Sequence, residues 1–119
     1  MKLHGVMIGT EDAAKLSLFY TKILGEPVFT DNGFFGYALG DSMLMLGGHS
    51  DIKGSNMSPA RMMMHFESED VKAEFDHIKG LGATVVAEPY NPNPDDQTLW
   101  LATFADPDGN YFQLASPWK

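Results

Sequence analysis

The sequence predicts an α+β fold built from two tandem modules, each a strand, a helix and three further strands. Three observations carry this. Thr10-Glu11-Asp12 and Ser68-Glu69-Asp70 open two helical stretches 58 residues apart. Each trio follows an apolar run, Val6-Met7-Ile8 in one case and Met62-Met63-Met64 in the other. Each helical stretch then ends at Leu-Gly, as Leu24-Gly25 and Leu81-Gly82. A pattern repeated at a fixed offset is the mark of a duplicated supersecondary unit.

Taken in order, the first strand should place Val6 and Ile8 under the helix and Met7 on the opposite face, because side chains alternate along a strand. A hydroxyl or carboxylate side chain before a helix and a glycine after it are the caps that helix ends need. Leu16, Phe19, Tyr20 and Ile23 recur at one-face helical spacing, as do Val71, Phe75 and Ile78, so both stripes read as core. Strands are expected at Glu26 to Asp31, Phe34 to Leu39 and Ser42 to Gly47, with a tight hairpin at Asn32-Gly33, where both residues tolerate positive φ. In the second half they are expected at Ala83 to Glu88, Thr98 to Ala105 and Tyr111 to Ala115, with a turn at Asp106-Pro107-Asp108-Gly109-Asn110. Two stretches lack periodicity. His49 to Ala60 reads as a linker, and Tyr90 to Gln97 as a loop able to form a lip over a site. The 119 residues therefore read as one domain, with module one at about 1–48, the linker at about 49–60 and module two at about 61–119.

Composition narrows the function. Apolar residues make up 44% of the chain, enough for a core, and no apolar run approaches membrane-spanning length. A net charge of −8 repels phosphate backbones and anionic lipids, which argues against nucleic acid and membranes as partners. The N-terminal residues lack the apolar block of a signal peptide, and there is no cysteine, so a cytoplasmic location without disulfides or thiolate metal sites is expected.

Three motifs then stand in order along the chain: Phe19-Tyr20-Thr21-Lys22-Ile23-Leu24-Gly25, Phe66-Glu67-Ser68-Glu69-Asp70, and Phe104-Ala105-Asp106-Pro107-Asp108-Gly109-Asn110-Tyr111-Phe112-Gln113-Leu114. Together they resemble the vicinal oxygen chelate superfamily, the group of glyoxalases, bleomycin-resistance proteins and extradiol dioxygenases. The resemblance implies a glyoxalase-like fold, with curved mixed sheets around a cleft that a second subunit often completes. A homodimer is the expected assembly. It also implies a divalent metal held by one side chain on the first and one on the last strand of each module. The matching positions here are Gly5, Met45, Met63 and Gln113. Glycine has no side chain and thioethers are too soft for such ions, so neither a metal nor any other cofactor is expected.

The candidate site follows from strand alternation. Arg61, Met63, His65 and Glu67 share parity, and the open face should also collect Met7, Gly9, Met43, Met45, Tyr111 and Gln113. His65 reads either as a structural histidine bonded to a neighbouring strand or as a ligand-contacting acid–base residue, with Glu67 as its orienter. Arg61 is either a solvated side chain or a clamp for an anionic group. The methionines either fill the interior or make an adaptable apolar wall. His4 falls on the helix side or at the sheet edge. Among Phe34, Phe35 and Tyr37, Phe35 is the candidate ligand contact. A four-residue loop at Asp106 to Gly109 would add Trp100, Ala102 and Phe104 to this face; another register would substitute Leu99, Leu101 and Thr103.

The expected function is a metal-independent small-molecule-binding protein resembling the bleomycin-resistance branch, which sequesters a small aromatic or amphipathic ligand. The alternative is a glyoxalase-like lyase or isomerase, using a displaced metal site or His65 as acid and base. A purely structural dimer is the third reading.

Overall fold

Two aspartates begin the two helices in the same way. The Asp12 carboxylate accepts the Lys15 N–H at 3.0 Å with backbone angles of φ −141° and ψ 85°, opening α1 (Ala13–Leu24). The Asp70 carboxylate accepts the Ala73 N–H at 3.1 Å with φ −141° and ψ 87°, opening α2 (Val71–Gly80). Each satisfies an N–H that the helix itself leaves without a partner. Beyond the helices, Gly25 at φ 89° and Gly82 at φ 94° take left-handed backbone that side chains with a Cβ rarely adopt.

These helices belong to a computed structural model that describes residues 1–118. The chain divides into two compact units, one of residues 1–54 and one beginning at Ser55, and the division falls within the predicted linker. No helix among the described residues is long and apolar enough to cross a membrane.

The first unit holds β1 (Gly5–Thr10), β2 (Phe29–Asp31), β3 (Phe34–Leu39) and β4 (Ser42–Gly48) in the sheet order β1-β4-β3-β2. β1 runs parallel to β4 because α1 carries the chain back across the sheet. The other two pairings are antiparallel. Asn32 (φ 50°) and Gly33 (φ 79°) make the expected two-residue hairpin. The strand expected from Glu26 is shorter, starting at Phe29, because Pro27 has no N–H to give to a ladder. Pairing sets the faces. Val6 lies opposite Leu44 and Ile8 opposite Leu46, while Tyr37 lies opposite Leu44. Tyr37 is buried, donates to the Ser17 carbonyl at 3.1 Å and shares a hydrogen bond of 2.9 Å with the Thr21 hydroxyl. Leu44, Leu46 and Tyr37 therefore face α1, and with Leu16 and Tyr20 they form the core of this unit.

The second unit repeats the scheme with β5 (Met64–Glu67), β6 (Thr84–Tyr90), β7 (Leu101–Ala105) and β8 (Tyr111–Ala115) in the order β5-β8-β7-β6. β5 is parallel to β8. Its core is an aromatic stack: Phe75 of α2 lies 5.1 Å from Phe104, which lies 5.6 Å from Phe112, which lies 5.4 Å from Phe66. The outer strand β6 pairs irregularly, with register shifts between Val85 and Ala87 and between Ala87 and Tyr90, and it contains Pro89.

The turn into β8 corrects one expectation. Asp106 pairs with Asn110 through an N–H to carbonyl bond of 2.8 Å, leaving Pro107, Asp108 and Gly109 as the loop. The loop is one residue shorter than expected, so Ala105 lies opposite Tyr111 and not opposite Asn110. A one-residue shift turns every side chain of β7 to the other face. Ala102 and Phe104 thus join the core beneath α2, and Leu101 and Thr103 face away from it.

Candidate functional site

On the sheet of the first unit, the face turned away from α1 has a floor of glycine. Gly5 lies opposite Met43, Met7 opposite Met45 and Gly9 opposite Gly47, and Gly36 of β3 lies opposite Met45. Large side chains rest on this floor. The Phe29 ring occupies the space a Cβ on Gly36 would need, and the Phe34 ring that of a Cβ on Gly47. A Cβ on Gly9 would come 2.9 Å from Ile52 Cγ1, and one on Gly5 would come 2.5 Å from the Met43 carbonyl oxygen. Glycine inside a strand marks close approach of another group, and here it does so at several neighbouring positions. Met7, Met43 and Met45 stand on the same face, as alternation predicts. The result is a sulfur-and-aromatic surface whose charged side chain on the paired strand positions is the exposed Asp31, opposite Phe34 on the outer strand.

On the sheet of the second unit, the corresponding face carries His65, Glu67, Thr103, Tyr111 and Gln113. His65 lies directly opposite Gln113 in the parallel ladder, and Thr103 opposite Gln113 in the antiparallel one. Gln113 is buried, and its Nε2 donates to the Thr103 hydroxyl at 2.9 Å. The exposed His65 ring meets the Trp118 indole edge-on at 6.2 Å between centroids. The grouping of His65, Glu67, Tyr111 and Gln113 on one face agrees with the sequence pattern.

Three expected contacts lie elsewhere. Phe35 lies opposite Leu46, on the α1 side of its sheet, because it shares parity with buried Tyr37; Phe34 takes the open face in its place. Trp100 lies on the α2 side, where the Lys72 ammonium sits 3.9 Å from its ring centroid and its backbone N–H donates to the Ser116 hydroxyl at 2.9 Å. The loop shortened by one residue accounts for this. Arg61 is exposed in the bend before β5, where its N–H donates to the Ser58 carbonyl at 3.1 Å, so strand alternation does not reach it. Met63 is half-buried and immediately precedes β5. His4 precedes β1 and is exposed, its carbonyl accepting the Met43 N–H. Phe29, Ile52 and Trp118 are additional residues that the sequence pattern did not single out. For Phe29 the available signal was Gly36, an unexplained glycine in mid-strand.

The metal that the resemblance implies can be tested against these donors. Gly5 and Met45 belong to the first unit, and Met63 and Gln113 to the second. They offer no side chain, two thioethers and one amide whose nitrogen is bonded to Thr103. Such a set does not fit a hard or borderline dication, which takes carboxylate, imidazole or carbonyl oxygen ligands. Among the described residues, no group of three His, Cys, Asp or Glu side chains gathers closely enough to hold an ion.

Comparison with known proteins agrees with the fold. A family model described as a glyoxalase-like domain matches residues 5–115. Among solved structures, a glyoxalase/bleomycin resistance protein/dioxygenase family enzyme from Burkholderia phytofirmans PsJN is 21% identical with a TM-score of 0.75, covering 98% of each chain. A member of the same superfamily from Sphaerobacter thermophilus DSM 20745 is 23% identical, also with a TM-score of 0.75 and 98% of each chain covered. A glyoxalase-related enzyme from Fulvimarina pelagi is 19% identical with a TM-score of 0.76, covering 98% of this chain and 88% of the other. At these identities the likeness is one of fold. No curated protein matches the chain.

Proposed function

The chain belongs to the glyoxalase-like domain family, and from that premise we propose that it is a metal-independent protein that binds and sequesters a small aromatic or amphipathic molecule, as in the bleomycin-resistance branch. The observation that carries this reading is the chemistry of the open face of the first unit. Met7, Met43, Met45, Phe29 and Phe34 stand there over glycines, where chelation would call for carboxylates or imidazoles. Thioethers are polarisable and flexible, and they adapt to flat or irregular ligands beside aromatic rings. A mostly apolar wall with a few polar groups is the usual make-up of a small-molecule site. On the second unit, considered by itself, His65, Tyr111 and Gln113 are among the polar groups of the open face. The net charge of −8 favours the approach of cationic compounds. The proposal includes a cytoplasmic homodimer as the working form.

A thermal-shift and calorimetric screen of aromatic and amphipathic compounds, run with a chelator present, tests this. Compounds that raise the melting temperature in chelator are expected. No hit across a broad library, together with catalytic activity restored by a dication, would overturn the reading.

One observation favours a second reading, a lyase or isomerase of the glyoxalase type. His65 stands opposite Gln113 with Glu67 two residues further along the same face, an arrangement suited to moving a proton. Turnover unchanged in His65→Ala excludes acid–base chemistry by this imidazole. Elemental analysis of untagged protein decides whether a displaced metal site exists.

A further inference from the structure

The methionines of this chain fall into tiers of exposure, and the tiers have a chemical consequence. There is no cysteine, so thioethers are the only sulfur available to an oxidant. Met57 and Met62 are 90% and 82% exposed and lie outside both sheets. Met7 is 48% exposed on β1, directly opposite the half-buried Met45 of β4. It is the most exposed methionine on either sheet, and it stands on the sulfur-and-aromatic face of the first unit.

We propose that Met7 is a peroxide-sensitive modification site whose oxidation turns this face from apolar to polar. This rests on the reading that the face holds the ligand. The thioether sulfur attacks one oxygen of hydrogen peroxide. A sulfur–oxygen bond forms as the oxygen–oxygen bond breaks, and the departing hydroxide takes the proton of the transferred oxygen and leaves as water. Sulfur is oxidised by two electrons and the peroxide is reduced by two. The product sulfoxide is polar and chiral where the thioether was apolar and compliant. Met1, Met57 and Met62 react first by virtue of exposure and consume oxidant before Met7 does. The order Met1, Met57 and Met62, then Met7, then Met43 and Met45 makes loss of the apolar face a graded response to oxidant dose.

Limited hydrogen peroxide followed by tryptic peptide mass mapping tests the order. Met7 falls in peptide 3–15, Met43 and Met45 in 23–53, Met57 in 54–61 and Met62 in 62–72, where fragmentation separates it from its neighbours. Peptide 3–15 is expected to gain one oxygen several-fold faster than 23–53 and more slowly than 54–61. Equal rates for 3–15 and 23–53 would overturn the assignment. Nile red binding then reads the consequence. Measured against each protein's own untreated binding, peroxide should weaken dye binding several-fold in the unaltered protein and by much less in Met7→Leu, which removes the oxidisable sulfur. Equal loss in both proteins overturns the role of Met7. Absence of dye binding before any peroxide sinks the ligand reading and the switch with it, while the peptide map still decides the order of oxidation.

Discussion

Gln113 Nε2 donates to the Thr103 hydroxyl at 2.9 Å across the β7–β8 ladder, and both side chains are almost fully buried. Thr103 thereby holds the amide of a residue whose chain position, in the resemblance drawn from sequence, would carry a metal ligand. Thr103→Val keeps the shape and removes the acceptor, leaving a buried amide without its partner. The expected loss is about 1–3 kcal/mol in urea denaturation, whereas Thr103→Ser keeps most of the stability.

The glycine floor of the first unit makes a directional prediction. Gly47→Ala puts a methyl group where the Phe34 ring lies, and it should destabilise the protein by about 1–3 kcal/mol through forced displacement of that ring. Combining it with Phe34→Leu should cost less than the sum of the two single changes, because the smaller side chain clears the site. Thermal unfolding of the three variants in one double-mutant cycle measures the coupling.

Tyr37 ties β3 to α1 through its hydroxyl, which bonds both the Thr21 side chain and the Ser17 carbonyl. Tyr37→Phe keeps the ring and removes both bonds. A loss of about 1 kcal/mol in chemical denaturation is expected, and Thr21→Val should cost less, since the bond to Ser17 survives it.

The matched caps of the two helices should respond alike. Asp12→Ala and Asp70→Ala are each expected to lower stability by about 1 kcal/mol, and Asp→Asn at either position should restore most of it, because the amide oxygen still accepts the N3 N–H. A markedly unequal pair, read by helical circular dichroism on heating, would mean that one cap is supported by other contacts.

Most of the architecture was legible because it rests on short-range rules. Asp12, Asp70, Gly25 and Asn32-Gly33 each act through their own backbone and immediate neighbours, so their roles can be read from residue type and spacing. Face assignment on β1, β4, β5 and β8 also succeeded, since Val6, Ile8, Leu44 and Leu46 alternate with less restricted positions. Trp100 and Phe35 failed for a different reason. Both depend on register, which residue type and spacing leave open: the turn closes between Asp106 and Asn110 and so fixes the facing of Trp100, and Tyr37 takes the α1 side through its bonds to Thr21 and Ser17, which carries Phe35 with it. Ile52 and Trp118 lie outside periodic segments, where alternation has nothing to say. Their positions beside Gly9 and His65 come from tertiary packing alone.

The uneven pairing of β6 affects how the molecule behaves when crowded. Its two slips of register and Pro89 break up the row of backbone donors and acceptors along the rim of that sheet, while β2, at the rim of the other, is only three residues long. A neighbouring chain therefore finds no long, regular ladder there on which to extend a fibril. High concentrations should leave these two rims in contact with solvent and not recruited into cross-β growth.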